Sequence, residues 1–345
     1  MKLLLTIILM AAMSGHVGQD TDSGPGAQKR VAVVETSTCY MRLMPDYESA
    51  LETQELMGTV VEIVGEKGYW REIVSPQPYK AWTTEKTLVE MTQEQVTEYE
   101  KAPKYMFTGL YGHIYSEPSD KAQTICDLVG GDVMRVVMQG TGRSGERAVV
   151  KGKWVKVMLP SGKTGWTYGK DVRVLGDRIS IRKGEPSEGL IDDGKIENVI
   201  RDAMNLQGVP YLWGGMSSKG VDCSGLVRIS FLMNDVLLPR NASQQVFCGQ
   251  EIEVARPDIR ERPEAEVRET YDRETALDAI RNLRRGDLVF FGNTQTGRIT
   301  HVGLYLGDGI MIHASHLVRI NSLVPGEENY YENAHRLIKA CRLSY

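Results

Sequence analysis

Two tryptophan pairs at one spacing mark the first half of this 345-residue chain. Trp70 is followed twelve residues later by Trp82, and Trp154 is followed twelve residues later by Trp166. Around both pairs, short apolar runs are separated by glycine, proline and polar turns, which is the pattern of short β-strands. Repetition of one pattern along a chain indicates a duplicated structural unit. The sequence therefore predicts two small all-β barrels in tandem.

The apolar runs place strands in each predicted barrel. The first barrel spans 30–91, with strands at Val31–Val34, Thr59–Val64, Trp70–Val74 and Lys80–Thr83. The second barrel spans 105–176, with strands at Val133–Met138, Trp154–Met158, Gly165–Tyr168 and Val172–Leu175. Between the barrels, Thr92 and Gln95 fit a capping box that begins a short helix, and Pro103 stops that helix.

The second half of the chain changes to a mixed pattern. Residues 176–190 are typical of a linker, and an amphipathic helix capped by Asp192 or Asp193 should follow. A glycine-rich stretch then leads into a second helix. The heavily charged segment at 251–283 is typical of a solvated surface insertion. Apolar strands follow it, so the sequence predicts an α+β domain with an antiparallel sheet at 190–345.

Cys223 stands at the start of that second helix. A run of glycines makes a flexible approach, and Asp222 occupies the N-cap position. Unpaired backbone N–H groups and the helix dipole favour a thiolate in the first turn, and a thiolate is the nucleophilic form of cysteine. A small buried residue at a tight turn is the alternative. This stretch alone does not decide between a catalytic and a structural cysteine.

Two histidines flank a predicted β-hairpin downstream of Cys223. If residues 307–309 form a three-residue loop, Gly303 faces His313 across the two strands. Side chains alternate along a strand, so His301 shares the face of His313 and is its diagonal neighbour. A two-residue loop would put the two histidines on opposite faces.

The histidine pair suits a base and the group that orients it. A cysteine peptidase needs an imidazole to take the thiol proton, and a second polar group to hold that imidazole in the right tautomer. We assign His301 as the base and His313 as the orienter. His316 is the fallback orienter, although its parity places it on the other face. Two histidines on a solvated sheet face are the alternative, and His113 and His335 are expected at the surface.

Composition argues against several classes of function. The formal net charge of −4, from 41 Lys and Arg against 45 Asp and Glu, gives no support for nucleic-acid or anionic-membrane binding. The five cysteines are scattered and none forms a C-x-x-C pair, which argues against a disulfide scaffold or a structural zinc site. No metal or other cofactor is expected, and the protein is expected to act as a monomer.

The first residues have the pattern of an export signal. Lys2 precedes an apolar run at 3–13, and small residues follow, so 1–19 is predicted to be a signal peptide. The run is too short for a bilayer-spanning anchor. The mature protein is therefore expected to be periplasmic or secreted, without a membrane anchor. An odd number of cysteines in an oxidising compartment leaves at least one free thiol, which suits a catalytic Cys223.

The motifs of the second half together resemble those of NlpC/p60 cysteine peptidases. Within residues 195–345 they are Trp213-Gly-Gly, Asp222-Cys223-Ser224-Gly225, Leu238-Pro239-Arg240, Gly286-Asp287-Leu-Val-Phe-Phe291, His301-Val-Gly and His313-Ala. The N-terminal repeats resemble bacterial SH3-like domains, and the whole chain is similar to γ-D-glutamyl-L-diamino acid endopeptidases of the dipeptidyl-peptidase VI type. The resemblance implies a papain-like fold and cleavage between D-Glu and the diamino acid of peptidoglycan stem peptides. It also implies a preference for fragments with a free N-terminal L-Ala.

The resemblance further implies a substrate site. The residues that would line it are Tyr211, Ser224 and Ser243. The first SH3-like domain would close one end, where Glu52 and Tyr79 are candidates for contact with the substrate amine; ordinary surface residues are the alternative. Asp222 offers a carboxylate with which an amine can pair. The backbone N–H of Cys223, at the helix start, is the natural oxyanion donor.

Other functions stay open from the sequence. The leading hypothesis is a cell-wall cysteine endopeptidase that acts on peptidoglycan peptides. One alternative is a non-catalytic wall-binding protein whose SH3-like domains hold glycan or peptide. Another is an amidase or acyltransferase on the same fold. The insertion at 251–283 either decorates the surface or narrows access to the cleft.

Overall fold

The structure is a computed structural model that describes residues 29–76, 79–140, 147–176, 179–180, 191–255, 259 and 261–343. The predicted signal peptide at 1–19 and most of the predicted linker lie outside the described residues. The helices are α1 (Gln93–Lys101), α2 (Asp193–Asn205), α3 (Cys223–Leu232), α4 (Ala242–Gln245), α5 (Glu264–Glu269) and α6 (Arg273–Ile280). Across the described ranges, no helix combines the length and the apolar character needed to cross a bilayer.

The strands belong to three main sheets and several short ladders. The first sheet contains β1 (Arg30–Val34), β2 (Thr38–Arg42), β3 (Leu51–Leu56), β4 (Val60–Lys67), β5 (Trp70–Val74), β6 (Lys80–Thr84) and β7 (Leu88–Met91). The second region contains β8 (Lys104–Phe107), β9 (Tyr111–Tyr115), β10 (Thr124–Val129), β11 (Val133–Val136), β12 (Met138–Gln139), β13 (Arg147–Ala148), β14 (Val150–Lys151), β15 (Trp154–Met158), β16 (Thr164–Tyr168) and β17 (Val172–Val174). The last region contains β18 (Ile179–Ser180), β19 (Met216–Ser217), β20 (Gly220–Val221), β21 (Val236–Leu237), β22 (Gln250–Ile252), β23 (Leu288–Gly292), β24 (Ile299–Gly307), β25 (Ile310–Ser315), β26 (Leu317–Ser322) and β27 (Leu337–Arg342).

The two N-terminal sheets repeat one strand order. The first runs β3-β2-β6-β5-β4-β1-β7 and the second runs β10-β9-β16-β15-β11-β8-β17, so each strand has a counterpart at the same place. The tryptophan spacing also has one meaning in both sheets, because Trp82 pairs with Glu72 and Trp166 pairs with Lys156. The predicted closed barrels are not confirmed, since among the described residues the two end strands of each path do not pair with each other.

Buried polar contacts join these sheets to their surroundings. Asp132 is fully buried and accepts the backbone N–H groups of Met57 at 3.1 Å and Val129 at 2.8 Å, which ties the second sheet to the first. Burial raises the pKa of the Asp132 carboxyl. Arg173 pairs with Asp235 at 2.8 Å, which ties the second sheet to the chain that follows α3. The β regions therefore pack as parts of one structure.

The C-terminal sheet has the order β22-β27-β23-β24-β25-β26 and a hydrophobic core on each face. Helices α2 and α3 cover one face and bury Val302 and Ile312. On the other face, Tyr271 and Ile280 of the charged segment join the core, and the Tyr271 hydroxyl donates to the carbonyl of Leu323 at 3.1 Å. The interpretation of 251–283 as only a surface insertion is therefore wrong, because its apolar side covers the sheet.

The hairpin that carries the two histidines differs from the prediction at its tip. Its loop is the two residues Asp308 and Gly309, with φ of 51° and 77°, instead of the predicted three-residue loop. Leu306 is an extra residue on β24, and this β-bulge restores the register that the prediction required. His301 and His313 therefore lie on one face of the sheet, as predicted.

The two histidines expected at the surface behave differently. His113 is partly exposed between the rings of Tyr111 and Tyr115. His335 is buried at 3% exposure, and its Nδ1 lies 3.0 Å from the carbonyl oxygen of Glu332. The expectation is wrong for His335 because its short 3-10 turn packs against the sheet directly before β27.

Candidate active site

Cys223 is the first residue of α3 and lies where that helix meets strand β24. Asp222 caps the helix as predicted, because its carboxylate accepts the N–H of Gly225 at 2.7 Å. The backbone N–H of Val302 points at the Cys223 sulfur. Val302 adjoins His301 along β24, so the thiol and this histidine come from contacting parts of the fold.

The Cys223 thiol is not acidic in the free protein. It is only 8% exposed, and burial raises its pKa to about 11, with a further increase from the negative charge of Asp222. The N–H groups of Val302 and Ser224 and the charge of Arg240 act in the opposite direction and are outweighed. The predicted thiolate is therefore wrong for the free protein, because desolvation exceeds the effect of the helix start. A thiolate has to form by proton transfer to a base.

A chain of hydrogen bonds crosses the three strands β24, β25 and β26. Nε2 of His301 lies 2.7 Å from Nδ1 of His313, and Nε2 of His313 lies 2.9 Å from Oδ1 of Asn321. Nδ2 of Asn321 donates to the backbone carbonyl of Asn329 at 2.6 Å. The ring of Tyr331 packs against both imidazoles, with centroids 4.8 Å from His313 and 5.9 Å from His301. The two imidazoles are thus positioned by each other, by Asn321 and by the ring of Tyr331.

The hydrogen bond from Asn321 to Asn329 decides which ring nitrogens of His313 and His301 carry a proton. A carbonyl oxygen only accepts, so Asn321 offers its N–H to Asn329 and its oxygen to His313. Nε2 of His313 then donates and its Nδ1 accepts, which makes Nε2 of His301 a donor and leaves Nδ1 of His301 with a free lone pair. Burial lowers the pKa of both imidazoles, and the charge of Arg319 lowers both further. At pH 7 both rings are therefore neutral, and His301 is in the form that can accept a proton.

Asp222 and Arg240 form a buried ion pair next to the thiol. Arg240 is 4% exposed, and its Nη2 and Nη1 lie 2.5 Å and 3.0 Å from the two carboxylate oxygens of Asp222. The same carboxylate accepts the N–H of Gly214 at 3.0 Å, the N–H of Gly225, and the hydroxyl of Ser224 at 3.1 Å. These donors fill the acceptor capacity of one carboxylate. Binding of an amine by Asp222 stays a prediction, and Ser224 is engaged within this cluster.

Strand β3 of the first sheet forms one wall of the site. Oε2 of Glu52 accepts the hydroxyl of Tyr79 at 3.0 Å, so the structure brings together the two residues predicted at the amine end. Gly214 packs against the backbone of Glu52. A Cβ atom on residue 214 would lie 3.0 Å from the carbonyl group of Glu52. Thr53, the next residue, accepts Nε of Arg240 at 2.7 Å. The first sheet is therefore in direct contact with the loop that precedes the thiol.

The remaining predicted residues take different places. Tyr211 is partly exposed near Cys223, and burial, with the thiol and Asp222 adding to it, raises its pKa to about 12. Its N–H donates to the carbonyl of His316 at 2.9 Å, and the side chain of His316 is exposed, with φ of 64°. Ser243 is exposed on α4, the helix whose Gln245 donates to a carbonyl in the first turn of α3 at 3.1 Å.

Sequence reasoning does not identify several neighbours of the thiol and the histidines. Asn321 and Arg319 come from β26, which has no apolar alternation strong enough to predict it. Once β26 is paired with β25, parity alone places Arg319 opposite His313 and Asn321 on the same face. The role of Arg240 has a signal in the Leu-Pro-Arg motif, but its partner Asp222 follows only from the structure.

The comparisons with known proteins agree with this geometry. Residues 208–338 match the NlpC/P60 family. A γ-D-glutamyl-L-lysine dipeptidyl-peptidase of Bacillus cereus (strain ATCC 10987 / NRS 248) is 25% identical over 284 residues, which cover 80% of this chain and 70% of that protein. A protein of the same name from Bacillus subtilis (strain 168) is 24% identical over 303 residues, which cover 85% of this chain and 82% of that protein.

A solved structure extends the likeness across the described chain. The crystal structure of an NlpC/P60 family protein from Bacillus cereus ATCC 10987 has a TM-score of 0.66 at 22% identity. The likeness covers 91% of this chain and 99% of that one, and it shows a shared fold. Residues 208–338 of this chain are therefore an NlpC/P60 family domain.

Proposed function

We propose that this chain is a cysteine endopeptidase that hydrolyses the bond between γ-D-Glu and the diamino acid of peptidoglycan stem peptides. Its proposed substrate is a fragment with a free N-terminal L-Ala. The observation that carries the proposal is Cys223 at the start of α3, against the strand that bears His301, which lies 2.7 Å from His313. The choice of bond is supported by relatives named γ-D-glutamyl-L-lysine dipeptidyl-peptidases, which align over most of the chain.

The first step of the proposed reaction forms an acyl-enzyme. Nδ1 of His301 takes the thiol proton as the Cys223 sulfur attacks the γ-carbonyl carbon of D-Glu. Because both partners start neutral, proton transfer accompanies the attack, and His313 holds the new imidazolium through Nε2 of His301. The C–N bond then breaks, the leaving amine takes the proton from His301, and a thioester joins Cys223 to D-Glu.

The second step releases the product with the same residues. Water loses a proton to His301 and attacks the thioester carbon, and the Cys223 sulfur leaves and regains a proton. Negative charge develops on the carbonyl oxygen in both steps. The backbone N–H of Cys223 has no hydrogen-bond acceptor within the described residues, so it is free to donate to that oxygen.

The amine end of the proposed substrate lies at the first sheet. Glu52 is the better of the two candidate carboxylates, because Oε1 has no partner within the described chain while Tyr79 holds Oε2. The carboxylate of Asp222 is filled by Arg240 and backbone donors and serves chiefly to fix the loop before Cys223. A wall of protein at this end favours a peptide terminus over an internal segment of intact wall.

The architecture proposed for this function has three parts. Residues 30–91 and 105–176 are proposed as SH3-like domains, which their shared strand order supports, and 190–345 as a papain-like catalytic domain. Peptidoglycan lies outside the cytoplasmic membrane, in line with the export signal predicted at 1–19. Within the described residues, the first of these domains brings Glu52 and Tyr79 to the amine end of the site.

The proposal is tested by incubating the full chain with L-Ala-γ-D-Glu-L-Lys and following release of the dipeptide L-Ala-D-Glu by mass analysis. Cys223→Ala is expected to remove turnover by a factor of at least about 10³, because the nucleophile is lost. The matched control is Cys126→Ala, which removes a cysteine from β10 of the second sheet and should leave turnover unchanged.

The products also separate the alternatives. Free diamino acid together with L-Ala-D-Glu supports the endopeptidase, and the N-acetylated peptide should be a poorer substrate because its amine charge is gone. Normal turnover by Cys223→Ala would refute the mechanism. Cleavage of another bond would replace the endopeptidase by an amidase, and binding to wall fragments without any cleavage would favour a wall-binding protein.

A further inference from the structure

Arg319 is a charged residue beside the histidine pair and has no partner in the described chain. It stands directly opposite His313 in the β25–β26 ladder and shares the sheet face of His301 and Asn321. Directly opposed residues of an antiparallel pair have Cβ atoms about 5 Å apart. Within the described ranges, the side chain of Arg319 makes no hydrogen bond or ion pair, and its Nε is inaccessible to solvent and unpaired. The rest of the residue is partly exposed, so a ligand can reach it.

An unpaired guanidinium at this position works against the chemistry of the site. Its charge lowers the pKa of His301 and His313, which disfavours the imidazolium that forms when His301 takes the thiol proton. Arg240, which also lies near the thiol, has a carboxylate partner in Asp222. A carboxylate from the substrate would supply the missing partner of Arg319 and remove the electrostatic opposition at the same moment.

The position of Arg319 identifies the part of the substrate that it faces. The amine end of the proposed substrate lies with Glu52 and Tyr79 on the first sheet. The leaving amine has to lie next to His301, because His301 returns its proton there. Arg319 stands opposite His313, whose ring hydrogen-bonds to that of His301, and the ring of Tyr331 packs against both imidazoles. Arg319 therefore lies on the leaving-group side of the scissile bond.

We propose that Arg319 binds a carboxylate of the leaving diamino acid, an inference that rests on the proposed function. Two carboxylates have the right chemistry. One is the α-carboxylate of a diamino acid at the C-terminus of the peptide, and the other is the side-chain carboxylate of diaminopimelate. Either can pair with the planar fork of a guanidinium. Pairing neutralises Arg319 only when the correct residue is bound, so recognition of the leaving group and the basicity of His301 are coupled.

The test compares matched substrates on the wild type and Arg319→Gln at pH 8. The first substrate is L-Ala-γ-D-Glu-L-Lys, and the second is the same peptide with a C-terminal carboxamide. The third carries meso-diaminopimelate with its α-carboxyl amidated and its side-chain carboxylate free. The wild type should cleave at least one carboxylate substrate with a kcat/KM about 10- to 100-fold above that of the carboxamide, the range of a hydrogen bond between charged groups.

In Arg319→Gln this preference should disappear. The rate on the carboxamide should rise slightly, because the charge that opposes protonation of His301 is gone. The matched control is Arg281→Gln, which removes an exposed arginine that pairs with Asp278, and it should keep the preference. The kcat/KM of the third substrate shows whether Arg319 binds the side-chain carboxylate or the α-carboxylate.

Two results would overturn the inference. One is a wild type that shows no preference for a carboxylate. The other is an Arg319→Gln variant that keeps the wild-type preference for a carboxylate, whether its activity is unchanged or falls equally on all substrates. Both leave the proposed function intact, because that function fails only if the wild type releases L-Ala-D-Glu from none of the peptides.

Discussion

Among the described residues, charged groups are paired on one side of Cys223, next to the first sheet, and unpaired on the other side, next to the histidine hairpin. On the side of the first sheet, Arg240 is buried and paired with Asp222, and every oxygen of that carboxylate has donors. On the hairpin side, the two histidines are kept neutral and Arg319 has no partner in the described chain. The first side is complete without substrate and holds the loop in place. In the proposed reaction, the second side becomes balanced when a proton and an anionic substrate have moved into it.

Breaking the buried ion pair of Asp222 and Arg240 gives the largest expected effect, a loss of stability. Arg240→Met removes one partner of the buried pair and leaves the Asp222 charge buried beside a partly filled cavity. We expect the free energy of unfolding to fall by about 3–5 kcal/mol, the usual cost of breaking a buried pair. Urea unfolding at pH 7 measures it.

An exposed pair provides the control for this comparison. Arg281→Met removes a partner of Asp278 at a site where both side chains are more than half exposed, 54% and 55%. Exposed pairs contribute about 0–1 kcal/mol, so little change is expected. Equal losses in Arg240→Met and Arg281→Met would show that the buried cluster does not hold the structure as inferred.

On the side of the histidine hairpin the expected effect is smaller, and it is a loss of catalytic rate. Asn321→Leu removes the acceptor that makes Nε2 of His313 a donor, so the free lone pair of His301 is no longer specified. We expect kcat to fall by about 10- to 100-fold, a part of the roughly 10²–10⁴-fold that a general base contributes. Steady-state kinetics on L-Ala-γ-D-Glu-L-Lys give the value, and KM should change little.

Asn321→Asp separates a positioning role from a merely structural one. A carboxylate also accepts from Nε2 of His313, and it favours the charged imidazole. This variant should keep more activity than Asn321→Leu, and the acid limb of its pH–rate profile should move to higher pH. If both variants lose activity equally and neither profile moves, the residue only supports the fold.

Local sequence patterns predict several helices and strands of this protein correctly. The predicted caps Thr92 and Asp222 begin helices, and so does Asp192, one of the two alternatives for α2, because a cap is decided by a few adjacent residues. The apolar runs that contain the four paired tryptophans predict strands β5, β6, β15 and β16 for the same reason. Strands β2, β3, β9 and β10 alternate weakly, and β2 and β9 join their sheets through β6 and β16, which lie far along the chain. Their place in the sheets therefore does not follow from local pattern.

The active-site predictions fail where the cause is not local. The face shared by His301 and His313 is right although the loop length is wrong, because the bulge at Leu306 compensates for the shorter turn. The acidity expected of Cys223 ignores burial, which depends on the packing of α3 against β24. The unpaired state of Arg319 depends on which acidic residues do not come near it, and no pattern in the sequence carries that information.

The smallest predicted effect is the change in the protein's stability with pH that His301 and His313 cause. His301 and His313 have folded-state pKa values below the ordinary value of 6.5, since burial disfavours the charged imidazole. Below pH 6.5 the unfolded chain therefore binds more protons than the folded chain, and stability falls as the pH falls. For each histidine that stays neutral in the folded protein, lowering the pH from 7 to 5 costs about 2 kcal/mol.

A variant isolates this cost from that of other titrating groups. His313→Asn removes one of the two histidines, so its free energy of unfolding should drop by about 1–2 kcal/mol less between pH 7 and pH 5 than that of the wild type. Urea unfolding at both pH values measures the two drops, and any constant cost of the substitution cancels in the comparison. If the drops are equal, the imidazole of His313 titrates normally in the folded protein. The hairpin side would then not hold His313 neutral, and this part of its contrast with the side of Asp222 and Arg240 would fail.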